Sequence, residues 1–288
     1  MTASGSPQAA GRSLAIDEPE SEGGSRVTVL GSLSADPGSL RSASDDVLAE
    51  GLAAEAGRLL LEVRDELGGG DSSLLRQEGD RRSHELLMRR LTAERPDDAV
   101  LSEEGKDDRS RLSADRVWIV DPLDGTREFS EPPRDDWAVH VALWERGVLV
   151  AGAVALPARD VVLGTAQPAS PRPAHAGRLR VVVSRTRPPA VATAVAEALD
   201  AELVPMGSAG VKAVSVLLGD VDVYVHAGGQ YEWDSAAPVA VCSAAGLHCS
   251  RIDGSPLRYN QEDVLLPDLL VSRPEHVAAA LDAIARGA

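Results

Sequence analysis

The stretch Trp118 to Phe129, WIVDPLDGTREF, runs an apolar segment straight into a cluster of oxygen ligands. Val117 to Val120 has the composition of a core strand. Pro122 cannot donate to a ladder, so Asp121, the Leu123 carbonyl and Asp124 are expected to crowd together where that strand ends. Two carboxylates and a carbonyl suit a hard cation. Mg²⁺ takes about six oxygens in near-octahedral geometry, commonly one or two carboxylates with phosphate oxygens completing the set. Gly125 and Thr126 then open a turn or helix start whose N–H groups and hydroxyl can face an anion. Upstream, Val100 and Leu101 lead into Ser102, Glu103 and Glu104. Far downstream, Tyr231, Glu232, Trp233 and Asp234 precede an Ala-rich helical stretch, Ser235 to Ala245, which puts Asp234 at a helix start. Acids at the ends of elements stand where open α/β sheets place their ligands.

The elements that must position these acids follow from periodicity. Met1 to Ala43 is rich in Ser, Gly, Ala, Pro and acid, with one short apolar stretch, Val27 to Leu30, and is expected to be a disordered extension. Ser44 is a candidate N-cap for a helix to Leu67, with Leu48, Leu52, Ala56, Leu59, Leu60, Val63 and Leu67 on one face and Gly68 to Gly70 as its stop. A second helix is expected from about Asp80 to Leu91. Trp137 to Trp144, Val148 to Ala155 and Val161 to Thr165 read as an antiparallel meander with turns at Arg146-Gly147 and near Pro157. Beyond a Pro-rich bridge, Pro168 to Pro173, strands at Leu179 to Ser184, Glu202 to Met206 and Val221 to Val225 alternate with helices at Pro188 to Leu199 and Gly210 to Leu218. The pattern predicts an α/β chain of two lobes, 44–167 and 168–288.

Three motifs in this order, LSEEG, WIVDPLDGTREF and EWDSAAP, resemble the inositol monophosphatase superfamily of Mg²⁺-dependent, lithium-sensitive phosphatases. The basic residue, Glu and Phe after DGT resemble its bacterial 3'(2'),5'-bisphosphate nucleotidase branch, and the likeness covers Asp45 to Ile284. It implies a layered α/β/α/β/α sandwich with the site between the lobes. It also implies two or three Mg²⁺ ions, the first held by Glu103, Asp121 and the Leu123 carbonyl and the second by Asp121, Asp124 and Asp234, with Thr126 orienting the attacking water. Asp80 in QEGDRRS stands where the family has an Asp that pairs with this Thr, although the residues before it depart from the usual pattern; as a plain helix N-cap it would read equally well. For the substrate, the resemblance points to Glu103, Leu123, Asp124, Gly125, Thr126 and Asp234 around the scissile phosphate. Arg127 would lie at the rim, and the segments holding Ser184, Arg185, Gly207, Ser208 and Lys212 would approach the nucleoside. Arg185 and Lys212 would hold the phosphate that is not hydrolysed. Glu232 would accept from a substrate hydroxyl. The implied reaction is hydrolysis of adenosine 3',5'-bisphosphate to AMP beside sulfate assimilation. Inositol phosphates and fructose 1,6-bisphosphate are the rival substrates, and a catalytically silent binding protein is the rival of another class. Another phosphatase class with a DGT signature needs a nucleophilic Asp two residues before the second Asp; Pro122 occupies that place, which favours attack by metal-activated water.

Composition sets outer limits. With 288 residues and 43% hydrophobic content the chain can bury a sizeable core. Its 29 Lys and Arg against 45 Asp and Glu give a net charge of −16, which repels nucleic-acid polymers and anionic membranes. A small anionic substrate remains compatible once bound Mg²⁺ reverses the local sign. No apolar run reaches the ~20 residues of a membrane span, and no basic-plus-apolar signal opens the chain. Cys242 and Cys249 show no pairing pattern and are expected as free thiols in a reducing cytoplasm; the six histidines show no metal-site spacing. A homodimer is compatible with all of this.

Overall fold

The protein is described from a computed structural model covering residues 27–33 and 42–287. Its elements are β1 (Thr28–Val29), α1 (Asp45–Leu67), α2 (Ser72–Glu94), β2 (Ala99–Ser102), β3 (Arg116–Asp124), α3 (Thr126–Phe129), β4 (Ala138–Glu145), β5 (Val148–Leu156) and β6 (Val161–Gly164). They continue with β7 (Arg180–Ser184), α4 (Ala190–Ala198), β8 (Glu202–Met206), α5 (Ala209–Leu218), β9 (Val223–Tyr231), α6 (Glu232–Ala244), β10 (His248–Ser250), β11 (Leu265–Ser272) and α7 (Val277–Gly287). One sheet has the order β1-β6-β5-β4-β3-β2 and the other β10-β11-β9-β7-β8. Helices α1 and α2 cover the outer face of the first sheet, α5 and α6 lie between the sheets, and α4 and α7 cover the outer face of the second. The result is the α/β/α/β/α sandwich.

Each layer boundary is an apolar seam whose residues come from the periodicities of the chain. Leu48, Leu52, Ala56, Leu60 and Val63 of α1 are buried against alternate residues of β3 and β4, among them Trp118, Val120, Val139 and Val141. The opposite faces of those strands, with Ile119 and Ala142, meet Val211 and Val214 of α5 and Ala236 and Ala237 of α6. Strands buried on both faces read as continuous apolar runs, as WIV and VVVS do. The β4–β5 hairpin turns at Arg146 (φ 47°) and Gly147 (φ 99°), the two positive φ values that a tight hairpin requires.

Four expectations need correction. The second helix begins at Ser72, where the Asp71 side chain accepts from the Ser73 amide, so Asp80 lies in the interior of α2 and is not its N-cap. Strand β3 does not stop at Pro122. It continues to Asp124 through a register shift against β4. Strand β9 runs on to Tyr231, and residues 246–287, for which periodicity gave no elements, supply β10, β11 and α7. Finally, part of the expected 1–43 extension is built into the fold. Thr28 and Val29 pair with Val162 and Val161, Leu30 is buried, and Arg58 donates to the Leu30 and Leu33 carbonyls at 3.0 and 3.1 Å. A strand of two residues is too short to show a period, which is why its composition read as disorder. Residues 1–26 and 34–41 of that extension lie outside the described residues.

Leu30 seals the end of the α1 seam, so Leu30→Ala should lower stability by about 2–4 kcal/mol, measured by denaturant unfolding. Deletion through Leu33 should do at least as much. An unchanged midpoint in both variants would show that the segment merely rests on the surface.

Candidate active site

The bulge in β3 builds the site. Asp121 pairs with His140 and Asp124 with Ala138, so three residue steps on β3 span two on β4. In a regular strand residues three apart face opposite ways; the extra residue turns Asp124 onto the face of Asp121. Pro122, which has no N–H to lose, and Leu123 form the bulge. The Leu123 amide donates to Asp121 Oδ1 at 3.0 Å, and the Ser83 hydroxyl of α2 donates to the Pro122 carbonyl at 2.7 Å. Gly125 follows at φ 82°, a left-handed conformation that swings the chain into α3. Asp234 arrives from the first turn of α6, where its Oδ2 accepts from the Tyr231 amide at 2.6 Å. Asp121, Asp124 and Asp234 each offer a carboxylate oxygen within 4.8 Å of the others. Glu103, just past β2, stands in hydrogen-bonding contact with Asp121 although part of its side chain remains exposed.

The four carboxyls divide electrostatically. Burial raises Asp121 well above the ordinary carboxylate range, and the charges of Glu103, Asp124 and Asp234 add to this. Burial and the neighbouring acids push Glu103 to about 7 and Asp234 to about 6. Asp124 goes the other way. Burial alone would raise it, but His140, Ser208 and Lys212 bring it to about 2. Its Oδ1 accepts from the Ala209 amide at 3.0 Å, and its Oδ2 accepts from the Gly210 amide at 2.6 Å and from the Ser208 hydroxyl, with His140 Nε2 3.3 Å away. Asp124 thus occupies the N-terminus of α5, where amide dipoles favour an anion. Gly210 is required there, because a Cβ at that position would fall 1.9 Å from His140 Nε2. The remaining carboxyls repel one another and lack comparable partners. A hard cation relieves that repulsion, and the all-oxygen donor set fits one.

The other anticipated residues fall into two groups. Thr126 Oγ1 lies 3.0 Å from the Leu123 carbonyl and 3.2 Å from Asp80 Oδ1, so the interior of α2 brings Asp80 to Thr126 as the family pattern implied. Burial and the charge of Glu104 push Asp80 to about 7. Across the cluster, Arg127, Ser184, Arg185, Gly207, Ser208 and Lys212 all line one cavity of about 440 Å³ together with Arg187 and Glu128. Within it Arg185 Nη2 donates to Glu128 at 2.6 Å and reaches Glu131 at 3.3 Å, while its buried Nε has no partner among the described residues. Arg127 is exposed and pairs with Glu131. Lys212 is buried, its ammonium donating to the Gly207 and Ser208 carbonyls at 3.1 and 2.7 Å. Two of its three N–H groups are used in this way, and the side chain still lines the cavity. Glu232 is not available to a substrate hydroxyl: its two oxygens accept from the Asn260 and Gln261 amides at 2.6 and 2.7 Å and pin that loop. His140 and Asp136 were missed. His140 is the one polar residue in the run WAVHVALW, a signal that could have found it; Asp136, which accepts from the Gly207 amide at 2.7 Å, sits in a loop without period.

Two sheets with a carboxylate cluster between them form the framework of the site. The chain belongs to the inositol monophosphatase family, whose profile matches residues 43–285. It is 56% identical over 243 residues to the 3'-phosphoadenosine 5'-phosphate phosphatase of Mycobacterium bovis, covering 80% of this chain and 90% of that protein. It is 33% identical over 204 residues to the 3'(2'),5'-bisphosphate nucleotidase CysQ of Escherichia coli, covering 66% of this chain and 82% of that one. Among solved structures, CysQ from Bacteroides thetaiotaomicron superimposes with a TM-score of 0.71 at 30% identity, over 80% of this chain and 97% of that chain. Inositol monophosphatase II from Staphylococcus aureus shares the fold at TM-score 0.67 and 22% identity, over 83% of this chain and 95% of that one.

The raised carboxyls make stability depend on pH with a definite sign. Between the ordinary carboxylate range and the folded values of about 6 for Asp234 and about 7 for Glu103, the folded state binds more protons than the unfolded chain. Stability without divalent cation should therefore fall as pH rises through about 4 to 7. The depressed Asp124 acts outside that window, its contribution being lost only as pH falls toward 2. Thermal unfolding in chelator and in a divalent cation, tried as Mg²⁺ and as Ca²⁺, should show a larger stabilisation at pH 7.5 than at pH 5. A cation effect independent of pH would mean that these carboxyls do not bind it.

Proposed function

We propose that the chain is a 3'(2'),5'-bisphosphate nucleotidase that removes the 3'-phosphate of adenosine 3',5'-bisphosphate, with Mg²⁺ as cofactor, in a cytoplasmic step beside sulfate assimilation. The observation that carries this reading is the pairing of the carboxylate cluster with a cavity containing Arg127, Arg185, Arg187 and Lys212 on the Ser208 side. One phosphate can sit at the carboxylates while a second is met by guanidinium groups, an arrangement that a monophosphate would leave half used. The relatives named for this substrate class agree with it. The intact acid set argues against a silent binding protein, since clustered carboxylates without a counter-charge carry a cost.

Glu103, Asp121 and the Leu123 carbonyl would hold one Mg²⁺, and Asp121, Asp124 and Asp234 another. When bound, the metal neutralises phosphoryl oxygens and makes water more acidic. The chain's own residues do the positioning. Thr126, fixed between the Leu123 carbonyl and Asp80, orients the attacking water, and Asp80, poised at about 7, is suited to take its proton at neutral pH. Arg185, which lines the cavity and is held by Glu128 and Glu131, would bring its guanidinium charge to the distal phosphate.

Phosphate release measured with Mg²⁺ on adenosine 3',5'-bisphosphate, inositol 1-phosphate and fructose 1,6-bisphosphate should favour the nucleotide; preference for either sugar phosphate would move the chain to the second reading. Chelator and lithium should both stop turnover. Asp121→Asn and Asp234→Asn should each lower kcat more than about 100-fold, since even outer-shell changes at metal sites cost about 10 to 100-fold. Arg185→Ala should reduce kcat/KM on the bisphosphate by about 10 to 150-fold, the loss of one charge-assisted contact, and much less on inositol 1-phosphate. Equal losses on the two substrates would place Arg185 in the framework of the site instead.

A further inference from the structure

A second cavity, of about 550 Å³, is lined by Ser73, Arg76, Gln77, Asp80 and Arg81 of α2 together with Glu104 and Thr126, and shares no lining residue with the basic cavity. Gly79 sets its geometry. A Cβ there would fall 2.7 Å from the Phe129 ring and 2.9 Å from the Leu123 side chain, so a glycine is what lets α2 lie this close to the β3 bulge and to α3. The neighbouring face of the helix then looks onto the reacting side of the site. Ser83 donates to the Pro122 carbonyl, and Asp80, three residues before it, accepts from Thr126 Oγ1. Arg76 lies one further turn back, four residues before Asp80, where side chains on a helix are neighbours.

Arg76 differs from the other cations of this stretch. Arg81 is held by Glu78 and Glu85 at 2.8 Å, and Arg82 by Glu78 at 2.7 Å and Glu66 at 2.8 Å. Arg76 is half-buried and has no hydrogen bond or ion pair among the described residues. A guanidinium in that position has given up part of its hydration without gaining an acceptor, and a phosphate oxyanion is an acceptor that its fork of donors matches.

In-line displacement puts the attacking water and the leaving oxygen on opposite sides of the phosphorus. Thr126 marks the water's side, and the phosphorus moves toward that side as the new bond forms. The water oxygen bonds to phosphorus, its proton passes to Asp80, and the P–O bond to the rest of the ester breaks, that oxygen taking a proton from solvent. We propose that Arg76 receives the released phosphate: its guanidinium meets the oxygens that turn toward α2 as the phosphoryl group inverts, and this cavity is where inorganic phosphate leaves, away from the nucleoside. The inference rests on the phosphomonoesterase part of the reading above and not on the choice of nucleotide. The acids of the cavity do not cancel Arg76. Glu104 is exposed, so water and salt screen its charge, and Asp80 is neutral once it holds the proton of the attacking water.

The test is inhibition by inorganic phosphate, measured with Mg²⁺ on whichever phosphomonoester the chain hydrolyses. Arg76→Ala should raise the phosphate inhibition constant by about 10-fold or more, the loss of one charge-assisted contact, and Arg76→Lys should recover part of it. The inhibition constant for AMP, the other product, should stay near its wild-type value. Titration with inorganic phosphate followed by the rise in unfolding temperature gives the same comparison without turnover. Ala is the better helix former, so the variant should fold; if it does not, Arg76→Gln takes its place with the same rise expected. A phosphate constant unchanged in the folded variant would overturn the inference, and so would equal rises for phosphate and AMP. A shifted pH dependence of kcat with phosphate inhibition untouched would overturn it too, since Arg76 would then act only through Asp80. A chain that prefers inositol 1-phosphate would overturn the nucleotide reading and leave this one standing.

Discussion

The ionised Asp124 carboxylate, seated on the N-terminus of α5, is the contact on which the rest of the site depends. A carboxylate that deep cannot keep its charge without donors, and here they are the Ala209 and Gly210 amides and the Ser208 hydroxyl, some 85 residues along the chain, with the His140 ring of the neighbouring strand β4. Asp124 belongs to the first sheet and α5 to the layer between the sheets, so the contact that satisfies the charge also ties that sheet to the central layer. Ser208 is held at φ 40°, an uncommon conformation for a residue with a side chain, in order to cap α5 and donate to Asp124 together. Such strain persists only where the surroundings over-determine it.

Because Asp124 is neutralised by protein donors, the other acids are left to one another. Asp121, Glu103 and Asp234 are pushed upward by burial and mutual charge while Asp124 is pulled down. Neighbouring carboxyls whose environments drive their proton affinities apart are a mark of a working site. The β3 bulge makes this possible: without the extra residue Asp124 would point toward α2, and neither the cluster nor the bond to α5 could form. The same side of the molecule carries the basic cavity, so a strongly acidic protein still offers a small phosphate ester a site of opposite sign.

Much of the site was legible because its chemistry is carried by short contiguous motifs. DPLDGT, SEE and EWD each place an acid within a few residues of an element end, and apolar periodicity fixed α1, the meander and the alternating second half to within a few residues. Less was legible where function depends on distance along the chain. Asp80 was found through a family pattern and not through its local setting, which suggested a helix start where the chain is mid-helix. Glu232 looked free beside Asp234, but the loop at Asn260, 28 residues away, takes its oxygens. Lys212 lines the cavity as expected of a substrate-side residue, but that two of its donors are held by the Gly207 and Ser208 carbonyls is visible only in the fold.

The sequence by itself determined the residue types, their order and the alternation of elements, because hydrophobic period and turn chemistry act over a few residues. That sufficed for the family and the fold class. Tertiary structure alone decided which acids stay charged, since proton affinity depends on every neighbour within several ångströms and on water being excluded. It decided that Val27 to Leu33 docks, because two β1 residues gain a partner only once β6 exists. It also decided that Tyr231 and Leu265, 34 residues apart in sequence, lie side by side. Antiparallel register is a property of two strands together, and neither strand carries it alone.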